Sequence, residues 1–438
     1  MSLGRRLFAK SGLIFMSRLI GAGIMFAVQV VIARRLGSVA LGHYVVAVAA
    51  MNILAMLLPL GFQTIAAYFA AAYAALGHGQ ALRRFFLQAL GQTGVMALVI
   101  FAVGPALLPG LGAPQGGLDG IWSALSLSAL ALAVLMLSGA VLTALKRPLQ
   151  GFLGDALARP LVTAAALQLV MAAGLPSGMV VAHLFTWQSV GFAALALVWL
   201  FLASRAVAQI DHGSAASSGE QRQWWFFAAP WAIIALASDF FFDLDLLLLA
   251  PTLSLSDIAV FGIASRLFAL AGFAVATVYA VIMPHMFEAE AQGHRHLFLA
   301  RIRTANRVAA VFALVFLGAV PLLAPAVLAY LGPQFEQAAA PLAILCLILL
   351  IRAVFGPAAV VLSMERRPYL PLLAVALGFA VLVAGNVVLV PRFGLSGAAV
   401  SAVLAAFAWS ASLWYLTLRV TGLDVSLWAR QPHPPVQA

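Results

Sequence analysis

Long apolar segments follow one another along almost the whole chain, and each is separated from the next by glycine, proline or charged residues. A helix needs about 20 apolar residues to cross the hydrocarbon core of a bilayer, and these segments have that length. The pattern predicts twelve membrane-spanning helices, with kinks at Pro59 in the second and at Pro284 in the eighth. Their predicted ranges are 12–33, 41–75, 81–109, 119–145, 149–173, 177–204, 223–250, 257–290, 298–330, 336–364, 368–390 and 394–420.

The composition excludes a soluble globular protein. Hydrophobic residues make up 64% of the 438 residues and charged residues only 8%, whereas soluble domains carry about 25% charged residues. Backbone groups in lipid must be hydrogen-bonded within the protein, so spans are helices or strands of a closed barrel. The unbroken apolar runs lack the alternation of barrel strands. The predicted fold class is therefore an all-α polytopic membrane protein.

Positive charges are unequally distributed between the two sides of the predicted spans. The formal net charge of +11 follows from the collection of Lys and Arg in cytoplasmic loops, and it does not indicate a nucleic-acid partner. Loops on the side of the N-terminus hold Arg83, Arg84, Lys146, Arg147, Arg205, Arg222, Arg295, Arg301, Arg303, Arg366 and Arg367. The opposite loops hold Arg34, Arg35 and Arg392. This asymmetry predicts an even number of spans and cytoplasmic termini.

The two halves of the chain resemble each other. The matching segments are "LGSVALGHY" from Leu36 with "LSLSDIAVF" from Leu253, "VLTALKRP" from Val141 with "VLSMERRP" from Val361, and "SGMVVAHL" from Ser177 with "SGAAVSAV" from Ser396. Their shifts are nearly constant, at 217, 220 and 219 residues. Six spans in each half make these parallel repeats, and transporters of that design bind substrate near the bilayer midplane between the halves.

The repeat predicts four regions. We expect an N-terminal six-helix lobe over residues 1–204, a cytoplasmic linker over 205–222, a C-terminal six-helix lobe over 223–420 and a cytoplasmic tail over 421–438. The linker contains the Ser/Gly-rich sequence "DHGSAASSGE", a composition typical of connections between domains.

Four stretches resemble a known family. They are "VQVVIARRLGSVALGHY" from Val28, "LLLLAPTLSLSDIAVFGIASRL" after Asp245, "LGPQFEQAAAPLAILCLILLIRAV" from Leu331 and "NVVLVPRFGLSGAAVSAV" from Asn386. They are similar to the polysaccharide exporters and Wzx-type O-antigen flippases of the multidrug/oligosaccharidyl-lipid/polysaccharide transporter superfamily. The resemblance implies a twelve-helix, two-lobed, MATE-like fold with a V-shaped central cavity.

The resemblance also implies a function. It implies movement of an undecaprenyl-pyrophosphate-linked oligosaccharide from the cytoplasmic to the periplasmic leaflet of the bacterial inner membrane. The partners it implies are the lipid-linked oligosaccharide, the lipid bilayer, a polysaccharide polymerase and a chain-length regulator.

Arginines inside the spans are the first candidates for substrate binding, because an intramembrane charge costs about 2.5–3.5 kcal/mol and needs a reason. Arg352, near the centre of its span, is a candidate clamp for pyrophosphate, since guanidinium binds phosphate oxygens in pairs. Its alternative role is an ion pair with an aspartate of the seventh span. For Arg266 the sequence leaves both substrate contact and a structural role open. For Arg18 the two alternatives are a place in the substrate site and extension of the side chain to the lipid headgroups. Arg159 lies four residues after Asp155, which favours a pair on one helix face.

Aspartates of the seventh span are candidates for ion coupling. Asp239 and Asp243 are four residues apart and are expected on one face of a single helix, where proximity of two carboxylates would suit proton binding. Pairing with arginines of neighbouring helices is the alternative. Asp245 lies close to the outer end of the span, where we expect it to be hydrated.

Two other function classes compete with a flippase. A cation-coupled multidrug exporter of the same superfamily would use the carboxylates of the seventh span. A membrane polysaccharide polymerase or ligase would need a sizeable periplasmic loop, and the predicted outer loops are short. The chain contains no GxxxxGK[ST], metal-ligand or nucleophile-elbow motif. We therefore expect no enzyme, no cofactor and no metal site. For amides within the spans, such as Asn52, we expect interhelical hydrogen bonds, and the lining of a sugar-binding cavity is the alternative.

Overall fold

A computed structural model describes residues 3–107, 119–210, 218–291, 295–363 and 369–429, almost all of them helical. The helices are α1 Leu3–Leu57, α2 Phe62–Leu76, α3 Gly79–Leu107, α4 Trp122–Ala144, α5 Pro148–Leu153, α6 Arg159–Ala172, α7 Ser177–Ala208, α8 Ser218–Asp239, α9 Phe241–Leu249, α10 Leu255–Ala291, α11 Arg295–Leu331, α12 Ala339–Phe355, α13 Ala358–Ser363 and α14 Leu370–Thr421. Among the described residues, nine helical segments are long and apolar enough to cross a membrane, by length and composition.

Two of these segments contain a glycine break. Gly37 in α1 has φ 87° and ψ 175°, and Gly394 in α14 has φ 53° and ψ −129°. Glycine adopts such positive φ values without a steric penalty. Both breaks lie at boundaries between consecutive predicted spans, so α1 and α14 each contain two successive helices.

Other spans are interrupted in their interior. The predicted kink at Pro59 is confirmed, because the helix stops there and restarts as α2 after Leu60 and Gly61, both with positive φ. A π-helical turn over Gly154–Ala158 joins α5 to α6. The seventh predicted span stops at Asp239 and resumes at Phe241, and the tenth stops at Phe355 and resumes at Ala358.

The chain forms two compact units, Met1–Ala259 and Val260–Ala438. Helices α8 and α9 belong to the first unit. One reason is Trp224, which is fully buried, donates a hydrogen bond to the Tyr73 hydroxyl at 2.8 Å and packs edge-on against Phe85. The repeat-based division at 205–222 concerns sequence similarity rather than packing, and it stays a prediction.

Close backbone packing holds helices of the first unit together. A Cβ atom on Gly21 would collide with the Ala156 carbonyl oxygen of the π-helical turn. Gly139 and Gly151 similarly bring α4 and α5 into contact. Small residues are what allow membrane helices to approach this closely, because dispersion contacts replace the hydrophobic effect in lipid.

In the second unit, the segment after α14 packs onto the interruption between α12 and α13. The Leu427 N–H donates to the Val354 carbonyl at 2.8 Å, and Asn306 Nδ2 donates to the Val425 carbonyl at 2.8 Å. The rings of Phe355, Trp414 and Trp428 lie in mutual contact with centroids 5.9–6.3 Å apart. Residues Leu423–Ala429 thus supply partners to a helix end whose last carbonyls have none within the helix.

This segment is the beginning of the region predicted as a cytoplasmic tail. Residues 430–438 of that region lie outside the described residues, and the side of the membrane stays a prediction. Arg303, predicted as a loop charge, lies buried inside α11 and interacts electrostatically with Asp424.

Asp424 makes the packing of this segment sensitive to pH. Burial by itself raises the pKa of Asp424, but hydrogen bonds from Trp414 and Ser426 and the charge of Arg303 outweigh it and lower the pKa below its ordinary value. A depressed folded-state pKa contributes stability that is present above the unfolded-state value and is lost as pH falls through the folded-state value.

We therefore expect the melting temperature of the wild type to exceed that of Asp424→Asn by about 2–4 °C at pH 6–7. The difference should shrink as pH falls below about 4, where the carboxylate takes up a proton. Thermal unfolding of the two proteins in detergent between pH 7 and pH 3 measures this. Curves that stay parallel over the whole range would show that the Asp424 charge contributes nothing.

Candidate functional site

A hydrogen-bonded network crosses the interior of the first unit. Arg159 donates from Nη1 to Asp155 Oδ1 at 3.0 Å and from Nη2 to Asn52 Oδ1 at 2.6 Å. Asn52 in turn donates from Nδ2 to Asp243 Oδ2 at 3.0 Å. The predicted pair between Asp155 and Arg159 is confirmed as a salt bridge. Three separate elements, α1, the π-turn with α6, and α9, therefore meet at Asn52.

Irregular backbone positions three members of this network. Asp155 lies within the π-helical turn and Arg159 directly follows it; such turns insert one residue and redirect the side chains that come after them. Asp243 lies in the first turn of α9, just after the interruption at Phe240. The network is thus built where two spans depart from a regular helix.

The network runs from an accessible carboxylate to a buried one. The Asp155 side chain is 50% exposed, the Arg159 side chain 16% exposed, and Asp243 only 5% exposed. Because Asn52 accepts from a cation and donates to an anion, both of its bonds are charge-assisted. A shift of α1 relative to α6 or α9 would break at least one of them. The arrangement can therefore couple the positions of three helices to the charge state of Asp243.

The two predicted ion-coupling aspartates do not share a helix face. Asp239 ends α8 and is exposed, whereas Asp243 is buried in α9 on the other side of the break. The expectation of one continuous face was wrong because sequence spacing assumes an unbroken helix. Asp245, expected to be hydrated, is fully buried.

Arg18 interacts electrostatically with Asp239, and its guanidinium stacks over the Phe152 ring at 4.7 Å. The side chain is exposed. Arg18 therefore belongs to the same unit as the network, beside α5 and the end of α8, but it has no hydrogen bond to Asn52 or Asp243 among the bonds that the described residues make.

The remaining two candidate arginines lie in the second unit. Arg352 lies in the last turn of α12 and its side chain is exposed. The expected position near the centre of one continuous helix was wrong, because the helix stops three residues later with Gly356 at φ 71°. A cation is favoured at such a carboxyl end by the helix dipole. Arg266 lies in α10 and is partly buried.

The sequence pattern identified Asn52 only as one of several amides within the spans and did not indicate its central place in the network. An asparagine surrounded by the apolar run "VVAVAAMNILAML" was the available signal. Nothing in its local pattern distinguishes it from Gln29, Gln63 or Gln188, which are also buried in this unit.

Solved structures that resemble the described chain are transporters. One is an inward-facing multidrug resistance MATE family transporter of the MOP superfamily, with a TM-score of 0.70 and 14% identity over 93% of this chain and 95% of that one. The fold is MATE-like. The lipid II flippase MurJ, in an inward closed conformation, shares the MATE-like fold with a TM-score of 0.68 and 13% identity over 92% and 87% of the two chains. A mutant of the Vibrio cholerae MATE transporter VcmN gives a TM-score of 0.67 and 15% identity over 96% and 98%.

No family model and no curated protein matches the sequence. The MATE-like fold confirms the predicted fold class, an all-α polytopic membrane protein. The structural neighbours are members of the superfamily that the sequence resembles. Twelve spans, cytoplasmic termini and a place among the polysaccharide exporters stay predictions.

Proposed function

We propose that the chain is a transporter that moves a lipid-linked oligosaccharide from the cytoplasmic to the periplasmic leaflet of a bacterial inner membrane by alternating access. The MATE-like fold supports a transporter, and one neighbour with this fold is described as a lipid II flippase. The sequence resemblance to the O-antigen flippases supports the polysaccharide class of substrate. A polymerase and a chain-length regulator are the proposed partners.

The observation that carries the proposal is the position of Arg352, whose side chain is exposed at the end of α12. This arginine lies within an apolar span, at the interruption after α12, and within the second unit no carboxylate of the described residues forms a salt bridge with it. A permanent positive charge within an apolar span is costly unless it faces water or binds an anion. A pyrophosphate offers the paired oxygen atoms that a guanidinium binds best.

The network around Asn52 supplies the coupling in this proposal. Protonation of Asp243 or binding of a cation there would weaken its bond to Asn52, and the contact between α1 and α9 would loosen. Asp243 is thus the preferred ion-coupling residue, with Asp239 as an exposed second carboxylate. Arg18 and Arg159 then orient these carboxylates, and Arg266 remains a candidate for substrate contact.

Replacement of Arg352 tests the proposal. In proteoliposomes with a labelled lipid-linked oligosaccharide, we expect Arg352→Ala to lower the rate of exposure in the opposite leaflet by about ten-fold or more, since a lost charge-assisted pair contributes about 1.5–3 kcal/mol. Arg352→Lys should retain an intermediate rate, because lysine keeps the charge without the paired geometry. The matched control is Arg307→Ala, which removes an exposed arginine of the same unit.

Equal rates for the wild type and Arg352→Ala would remove Arg352 from the site. If the wild type moves no oligosaccharide, the proposal that a lipid-linked oligosaccharide is the substrate is contradicted. A cation-coupled multidrug exporter is the second candidate, and the carboxylates of the Asn52 network favour it. The multidrug-exporter function is supported if the same vesicles transport cationic drugs and if this transport depends on Asp243.

A further inference from the structure

A cleft at one end of the first unit lies apart from the Asn52 network. It is formed by the beginning of α3, the end of α7 and the beginning of α8. Two adjoining parts have volumes of about 540 and 550 Å³ and share Gln80, Arg83 and Leu87. Both parts are open to the surface of the protein, so a ligand could enter from the side.

The walls of the cleft differ in chemistry. One part adds Arg84, Gln88 and Gln221, which gives it guanidinium and amide donors. The other part adds the apolar side chains of Phe86, Val207 and Ile210. A cationic, hydrogen-bonding wall beside an apolar wall fits a molecule with an anionic head and a hydrocarbon tail.

The position of the cleft along the helices matches the depth of lipid headgroups. The span from Gly79 to Ala106 has 28 residues, about 42 Å at 1.5 Å per residue, which equals the thickness of a bilayer with its headgroup regions. Arg83 and Arg84 lie in the first two turns of α3, and therefore near one end of this length.

Aromatic residues mark the same level independently. Trp224 packs edge-on against Phe85, the residue that follows Arg84, with ring centroids 5.2 Å apart. The next residue, Trp225, is 41% exposed, and Phe226 is 51% exposed. Exposed tryptophan is typical of the boundary between headgroups and acyl chains. The arginines and the exposed aromatic rings therefore share one interfacial layer.

We propose that this cleft binds an anionic phospholipid of the surrounding leaflet. Arg83 and Arg84 face the phosphate, Gln80 and Gln221 donate hydrogen bonds to its oxygen atoms, and Leu87 and Val207 pack beside the first part of an acyl chain. The bound lipid bridges α3, α7 and α8. Arg352 is not among the residues that line this cleft, and the proposal does not depend on which substrate the protein moves.

Lipid retention by the purified full-length protein tests this site. The probes are phosphatidylglycerol and phosphatidylcholine with identical acyl chains, titrated in detergent and counted by native mass spectrometry. We expect preferential retention of phosphatidylglycerol by the wild type, and about 10- to 30-fold weaker retention by Arg83→Gln/Arg84→Gln. Arg205→Gln is the matched control, because Arg205 is exposed at the end of α7 and stacks on Phe201 rather than lining the cleft.

Each alternative outcome is distinct. Equal retention of phosphatidylglycerol and phosphatidylcholine by the wild type would show no preference for an anionic lipid and would overturn the site. A loss of phosphatidylglycerol in Arg205→Gln as large as in Arg83→Gln/Arg84→Gln would show a general attraction to positive charge, and it would also overturn the site. Displacement of phosphatidylglycerol by inorganic phosphate at millimolar concentration would assign the cleft to a free anion. Displacement by an equimolar polyprenyl pyrophosphate would assign it to the transported lipid. The wild type, Arg83→Gln/Arg84→Gln and Arg205→Gln should have equal melting temperatures in lipid-free detergent. Equal values would show that the substitutions leave the fold intact.

Discussion

Replacement of Asn52 by leucine should slow transport by about ten-fold or more while the protein still inserts and folds. The substitution removes the acceptor of Arg159 and a donor to Asp243 in one step, and leaves a side chain of similar volume. Two charge-assisted hydrogen bonds in the interior together contribute about 3 kcal/mol or more. We expect a fall in transport rate of about ten-fold or more, and a lower melting temperature, measured in proteoliposomes and in detergent.

Gln188→Leu is the matched control for Asn52→Leu. Gln188 is also a buried amide of the first unit, but its Nε2 contacts only the Met51 sulfur at 3.5 Å, and its Oε1 has no hydrogen-bond partner among the described residues. Loss of such an amide should be neutral or slightly stabilising, because no charged group loses a partner. Equal transport rates for Asn52→Leu and Gln188→Leu would contradict a role of the Asn52 network in transport.

Gly356→Ala should strongly destabilise the second unit. Gly356 has φ 71° and ψ −170°, a conformation that costs other residues about 1–3 kcal/mol. An added Cβ would also collide with the Val425 carbonyl and come within 2.7 Å of Asn306 Nδ2. The segment after α14 must then move, and its hydrogen bonds to Asn306 and Val354 are lost. We expect the free energy of unfolding to fall by about 2–4 kcal/mol.

Gly318→Ala provides the comparison. Gly318 lies within α11, and no described atom beyond the adjoining backbone of its own helix lies within 4 Å of the position of its added Cβ. Alanine there should leave the melting temperature unchanged or raise it slightly, because alanine favours the helix more than glycine does. Equal melting temperatures for Gly356→Ala and Gly318→Ala would show that the C-terminal segment is not held against α12.

The spans could be predicted from the sequence because hydropathy is a local property. Each predicted span coincides with one helix or with two helices that follow one another. The kink at Pro59 and the pair between Asp155 and Arg159 are local too, since they depend on one proline and on a spacing of four residues. The predicted shared helix face of Asp239 and Asp243 was also inferred from local spacing, and it was wrong because the helix is interrupted at Phe240 between them.

The candidate site depends on separations that no local pattern encodes. Asn52 is 107 residues from Arg159 and 191 residues from Asp243 along the chain. The packing of Val425 over Gly356 likewise joins segments that are far apart, with Asn306 as their common partner.

By itself the sequence determined that the protein lies in a membrane, is helical and carries more positive charge on one predicted side. These properties follow from transfer energies and charge counts that sum over neighbouring residues. Only the tertiary structure decided that Asn52 joins three helices, that Asp243 and Asp245 are buried, and that Arg352 stands at a helix end. Those facts arise from where helices break and how closely their backbones approach, and both depend on partners distant in the chain.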